Sequence, residues 1–177
     1  MREKIQDFLD EYLRYKITVE KAMDQVPDDA LNRIVAPDGN SIGMIVRHLS
    51  GNLTSRFTDF LSTDGEKPWR DRDSEFETRE YRRKEVDDLW KKGWSVLEKE
   101  LASLTDGDLG KTVHIRGRPL TVHQALARSL SHLSYHAGEI VLLARMCSKA
   151  QWQWISIPKG MSKQYNQNPA HEKKPSS

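Results

Sequence analysis

The sequence predicts an all-α protein, a four-helix bundle, on two observations: apolar residues recur at three- and four-residue spacings through four long segments, and clusters of turn residues separate those segments without any long alternating strand. The first pattern runs from Glu3 to about Val26, with Ile5, Phe8, Leu9, Tyr12, Val19, Met23 and Val26 on one stripe, and Pro27-Asp28-Asp29 stops it. A polar stretch closing on Pro37-Asp38-Gly39-Asn40 leads to Ser41, whose hydroxyl suits an N-cap. The second helix is expected from Ile42 to about Leu61 and carries Ile45, Leu49, Leu53, Phe57 and Phe60.

Asp64-Gly65 opens a long second connection, DGEKPWRDRDSEFE, which exceeds what a bundle needs. Trp69 and Phe76 within it suit either a pocket wall or a cover over a core edge. The third helix is expected from about Arg79 to Leu104, on the stripe Val86, Leu89, Trp90, Gly93, Trp94, Leu97, Leu101 and Leu104. After Thr105-Asp106-Gly107, the run KTVHIRGRPLTV reads as a small hairpin or extended loop around Arg116-Gly117. Thr121 then caps a fourth helix, Val122 to about Cys147. Beyond Ser148 the pattern dissolves, although Trp152, Trp154, Ile155 and Ile157 are apolar enough to pack. One domain is expected over 1–165, with 166–177, NQNPAHEKKPSS, as a disordered tail.

Composition narrows the function classes. In 177 residues, 28 lysines and arginines face 26 acids, a net charge of +2, and the mean hydropathy is −0.73. That balance argues against a dedicated nucleic-acid or anionic-membrane binder. The densest basic cluster, Arg79 to Lys84, is interleaved with acids and reads as a solvated helix face. A single cysteine, Cys147, suits a reducing compartment and reads as a small buried hydrophobe. No stretch approaches the ~20 apolar residues that span a bilayer, and the charged amino terminus lacks a signal-peptide core, so the expected location is the cytoplasm.

The chemistry-bearing residues are histidines. His132 and His136 are four apart, which sets them one turn apart and about 40° around a helix axis, so both can reach one ion. A third ligand must come from another element, and His48 in the second helix is the candidate. Three imidazoles suit zinc, nickel, iron(II) or copper rather than magnesium or calcium, and leave a position for water as catalytic zinc sites do. A histidine beside an apolar stripe is otherwise a hydrogen-bonded core residue.

Glu139 shares the face of His132 and His136 and suits a ligand, an orienting carboxylate or a base, or else an ion pair with Arg145 or Arg128. Asn52, one turn after His48, suits a hydrogen bond to a bound small molecule. Arg47, Arg56 and Arg128 lie on the ligand-bearing helices, where they meet substrate carboxylates or surface acids. His123 is about 13 Å before His132 and Cys147 about 16 Å beyond His136 along the axis, too far to join the same ion.

The segments RHLSGNLTSRF, SHLSYHAGEIVLLAR and GEKPWRDRDSEFE, in this order and spacing, resemble the DinB/YfiT-like superfamily of small helical metalloproteins, and the tail segment SIPKGMSKQYN resembles an uncharacterised bacterial branch of it. The resemblance covers the chain to about Asn166. It implies an up-down-down-up bundle, a homodimer, and a three-histidine site for zinc or nickel made by His48, His132 and His136. Relatives in the superfamily include transferases and isomerases that use low-molecular-weight thiols, and metal-dependent hydrolases. The expected function is a divalent-metal-dependent enzyme on a small molecule, S-transferase-like or hydrolase-like as in those relatives, and the helical positions suggest Glu139 as catalytic and Asn52 as a contact to the cofactor or substrate. A non-catalytic metal-binding module and a helical interaction protein are the alternatives.

Overall fold

A computed structural model describes residues 2–169. Four long helices dominate: α1 (Glu3–Met23), α2 (Ile42–Phe57), α3 (Arg83–Ser103) and α4 (Val122–Cys147). A two-stranded hairpin, β1 (Thr112–Ile115) and β2 (Arg118–Thr121), precedes α4, and a short α5 (Ser162–Tyr165) follows it. The chain is mostly helical, as the periodicity predicts.

Local chemistry sets several boundaries. Ser41 Oγ accepts from the Met44 amide at 3.3 Å, and Thr121 Oγ1 accepts from Gln124 N at 3.1 Å while Gln124 Oε1 accepts from Thr121 N at 2.9 Å. Both expected caps are therefore made, and they satisfy amides that no helix turn can reach. The start of α1 is capped from far away, because Lys4 N and Ile5 N both donate to Asp106 Oδ1 at 3.1 Å. Arg2 in turn donates to the Leu101 and Leu104 carbonyls at the end of α3.

Three expected ends shift, and the first helix stops at Met23 rather than at about Val26. The second helix stops at Phe57 rather than Leu61, since Thr58 is extended and Asp59 takes a left-handed φ of 50°. Phe60 is still buried against Phe57, at 5.2 Å between ring centroids, so the apolar period outlasts the helix. The third helix starts at Arg83 rather than Arg79. The preceding segment is held by Asn32, whose side chain accepts from Tyr81 N at 2.7 Å and donates to Tyr81 O at 3.0 Å. The basic cluster is thus partly loop: Arg79 pairs with Glu85, Arg83 with Asp28, and Lys84 with Asp88.

Packing brings α2 against α3, α1 against α4, and α2 against α4. At the α2–α3 contact a Cβ on Gly93 would fall 2.9 Å from Ser50 Cα, so only glycine permits this approach. Tyr12, Phe57 and Trp94 meet edge to face in the core, and Tyr12 donates to the Leu126 carbonyl at 3.0 Å. Cys147 is buried among apolar neighbours, as expected.

The hairpin turns at Arg116-Gly117, both with positive φ (56° and 71°), the geometry of a two-residue turn that matches strand twist. Asp64 fastens that turn to the α2–α3 connection, accepting from Arg116 N at 2.8 Å and Gly117 N at 2.7 Å. Ile115 and Arg116 are thereby held beside α2. After α4, Trp152 and Ile155 pack on the core, whereas Trp154 is largely exposed under the Arg145 guanidinium. Asn166 and Asn168 continue from α5 in hydrogen-bonded turns, and the part of the expected tail from 170 onward lies outside the described residues.

Candidate metal centre

His48 sits in the middle of α2 and is almost fully buried. Its Nδ1 donates to Glu75 Oε2 at 2.8 Å. Glu75 belongs to a one-turn helix, Asp73–Phe76, in the long connection, and Arg70 grips it with a fork, Nε to Oε1 and Nη2 to Oε2, each 2.8 Å. Burial pushes the Glu75 carboxyl pKa up, but the hydrogen bonds from His48 and Arg70 more than offset this and hold it below its ordinary value. An ionised Glu75 fixes the proton of His48 on Nδ1 and turns the Nε2 lone pair the other way.

Two further residues secure the loop. A Cβ on Gly51 would lie 2.1 Å from Glu75 Oε1, so the bare backbone there makes the space that Glu75 fills. Arg47 Nη1 donates to Ser74 O at 2.5 Å and Nη2 to Ser74 Oγ at 3.1 Å, so Arg47 pins the loop and is not free for a substrate carboxylate. Phe76 covers the His48 ring at 4.7 Å. Trp69, by contrast, is 57% exposed and does not line the cavity beside the centre. The long connection thus backs His48 through Glu75 and Phe76, and lines the cavity beside it through Arg70 and Arg72.

From α4, His132 and His136 turn toward His48. Ring centroids lie 5.1 Å apart for His48–His132, 5.0 Å for His48–His136 and 4.6 Å for His132–His136. Each ring offers a nitrogen, and the three nitrogens fall within 4.8 Å of one another. His48 Nε2 and His132 Nε2 are 3.1 Å apart. Two nitrogens on one tetrahedral ion at ~2.05 Å would sit about 3.3 Å apart, so the spacing fits a shared metal.

Glu139 Oε2 accepts from His136 Nδ1 at 2.5 Å, so the carboxylate stands behind the ring and does not pair with Arg145 or Arg128. It orients His136 as Glu75 orients His48, the carboxylate–histidine pattern that supports metal ligands. Burial, then the neighbouring His136 and His48 rings, pull the His132 pKa down to about 3. Burial also lowers His136, against the opposing pull of Glu139. Metal ligation needs such unprotonated imidazoles.

One side of the centre opens into a cavity of about 180 Å³. His48 and His132 form its floor, and Asn52, Arg56, Arg128 and Ile115 are among its walls. Asn52 and Arg56 therefore both line this cavity, while Glu139 does not. His123 packs against Phe8 instead. A larger, shallow groove runs between Asp28 and Lys91, but no histidine lines it, and Arg83 pairs with Asp28 and Lys84 with Asp88 along it. Sequence reading missed Glu75 and Arg70, and the excess length of their loop was the one signal that pointed there.

No curated protein matches the chain. Among solved structures it is similar to a DinB-like protein from Bacillus cereus ATCC 10987, with 19% identity, a TM-score of 0.57, and 83% of this chain and 97% of that one covered. At that identity the likeness establishes a DinB-like fold. Residues 1–161 match the family described as protein of unknown function (DUF1572), and the chain belongs to that family.

Proposed function

We propose that this protein is a divalent-transition-metal-dependent enzyme that acts on a small molecule at His48, His132 and His136, as an S-transferase using a low-molecular-weight thiol or as a hydrolase. What supports it is one arrangement: three imidazole nitrogens within 4.8 Å of one another, two of the rings backed by carboxylates, with His48 and His132 at the floor of a cavity. A bound zinc or nickel ion would supply Lewis acidity, lowering the pKa of a thiol or of water.

The chain's own residues do the rest. Glu75 and Glu139 each hold an Nδ1 proton, so that the Nε2 lone pairs of His48 and His136 face the centre. Glu139 acts through His136 and is a positioning residue. Asn52 presents its amide to the cavity, where it hydrogen-bonds the substrate.

Three further features belong to the same reading. The chain path is up-down-down-up. In support, Phe8 of α1 meets His123 at the start of α4, Tyr81 just before α3 lies against Gly43 at the start of α2, and Arg2 just before α1 meets the end of α3. The protein works as a homodimer, with Tyr135, Leu142 and Met146 exposed on α4 as candidate contacts. It acts in the cytoplasm, where a lone buried thiol stays reduced, and engages neither nucleic acid nor membrane. No described helix is long and apolar enough to cross a membrane.

Elemental analysis of protein purified without an affinity tag, beside His48→Ala, tests the centre. Zinc or nickel in the wild type and its loss from the variant is the expected result; a wild type free of transition metal rejects the reading. Thiol-dependent turnover of an electrophile by the metal-loaded protein then selects the transferase, and thiol-independent hydrolysis selects the hydrolase.

A further inference from the structure

The cavity beside the histidines is lined by five arginines, Arg56, Arg70, Arg72, Arg116 and Arg128, and by no carboxylate among the described residues. Three of them are met by acids elsewhere: Arg70 by Glu75 at 2.8 Å, Arg116 by Glu66 at 3.0 Å, and Arg72 loosely by Asp73 at 3.9 Å. Arg56 and Arg128 make no ion pair among the described residues.

Arg56 is the telling member. It is only 9% exposed, and its Nη1 has no hydrogen-bond partner. A guanidinium buried without an acceptor loses the hydration that stabilises its charge and gains nothing in return, an arrangement folded proteins rarely keep unless a partner arrives. Its surroundings sharpen the point. Burial is the largest cause of its pKa falling to about 10; Glu66 opposes that fall, and Arg70, Arg128 and Arg116 add to it. A small anion between Arg56 and Arg128 would offset the charge that Arg56 keeps buried and screen the repulsion together. The planar fork of arginine fits carboxylate and phosphate oxygens.

We propose that this chamber is an oxyanion-binding subsite, which takes the carboxylate or phosphate end of a small molecule whose other end reaches the histidines. The volume of about 180 Å³ is below that of pockets for drug-sized ligands, so it holds a charged terminus and not a whole large ligand. Arg56 and Arg128 bind the oxyanion, and Asn52 adds an amide beside it. The inference extends the metal-dependent reading to a substrate class, yet the subsite stands on its arginines and does not require the metal.

Calorimetric titration with inorganic phosphate and with malonate tests it, on wild type, Arg56→Gln and Arg128→Gln, each metal-loaded and chelator-treated. Expected is saturable binding of at least one probe in both metal states, weakened tenfold or more by either substitution. The preferred probe tells phosphate from carboxylate recognition. Arg128 is exposed, so its variant answers even where Arg56→Gln fails to fold. Absence of saturable binding, binding unchanged in the folded variants, or binding that vanishes with the metal would overturn the subsite. Arginine-dependent binding in a wild type that carries no metal would uphold the subsite while rejecting the enzyme reading.

Discussion

His48 of α2 donates its Nδ1 proton to Glu75, 27 residues later, across 2.8 Å, and Glu75 is in turn gripped by Arg70. This joins a helix to a loop at the point where the imidazole must be aimed. Glu75→Gln keeps the volume but removes the charge that fixes the His48 tautomer. It should weaken metal binding about 10- to 100-fold, as loss of such a supporting carboxylate does. Glu75→Ala should in addition destabilise the fold by about 3–5 kcal/mol, because Arg70 is left buried without its partner. Chelator competition reads the first effect and denaturant unfolding the second. Unaltered affinity in Glu75→Gln would mean that His48 is aimed by something else.

Gly51 sits under the same carboxylate. An added Cβ would meet Glu75 Oε1 at 2.1 Å, and Glu75 has no free direction in which to retreat, since both oxygens are engaged. Gly51→Ala should therefore cost about 1–3 kcal/mol, although alanine is the better helix former by about 1 kcal/mol. In a Glu75→Ala background the clash is gone, and the same change should become neutral or stabilising. A double-mutant cycle measured by urea unfolding would show this as a coupling energy above about 1 kcal/mol. Simple additivity would place Gly51 outside the loop's support.

The parts of the fold legible in the sequence were those fixed by neighbours in the chain. Ser41 and Thr121 announce helix starts because a hydroxyl three residues before an amide is a local device, and the span of α4 follows from an unbroken period. Phe60 misplaces the end of α2, because its burial continues the period after Asp59 has turned the backbone. Tyr81 hides the start of α3, because Asn32, 49 residues away, decides it. The histidine cluster was legible from an i, i+4 pair and one helical partner. Glu75, Arg70 and the arginine chamber were not, since a loop residue meeting a helix residue leaves no periodic trace.

Stability without metal should depend on pH through His132. Its pKa is about 3 in the fold against an ordinary 6.5. Between those values the unfolded chain takes up a proton that the folded chain refuses, so the unfolded state binds more protons and stability rises with pH. The contribution is complete above pH 6.5 and is lost as pH falls toward 3. His136, also lowered by burial, acts with the same sign. Thermal melts of chelator-treated protein across this window should show Tm falling with acidity, and His132→Gln should flatten the slope. A Tm indifferent to pH in the wild type would show that His132 stays open to protons.

Tyr135, Leu142 and Met146 are spaced seven and four apart, so they form one stripe on α4, and they are 64%, 59% and 58% exposed. Single exposed hydrophobes are ordinary on a soluble surface, but an aligned stripe on one helix suits a two-fold contact, in which the same patch serves both partners. Light scattering of the wild type should give twice the chain mass of 20.5 kDa. Leu142→Glu should give the single-chain mass with the helical circular dichroism unchanged, because the side chain faces solvent in the monomer and its loss removes no core packing. A wild type that runs at 20.5 kDa, or a dimer indifferent to Leu142→Glu, would rule this stripe out as the interface.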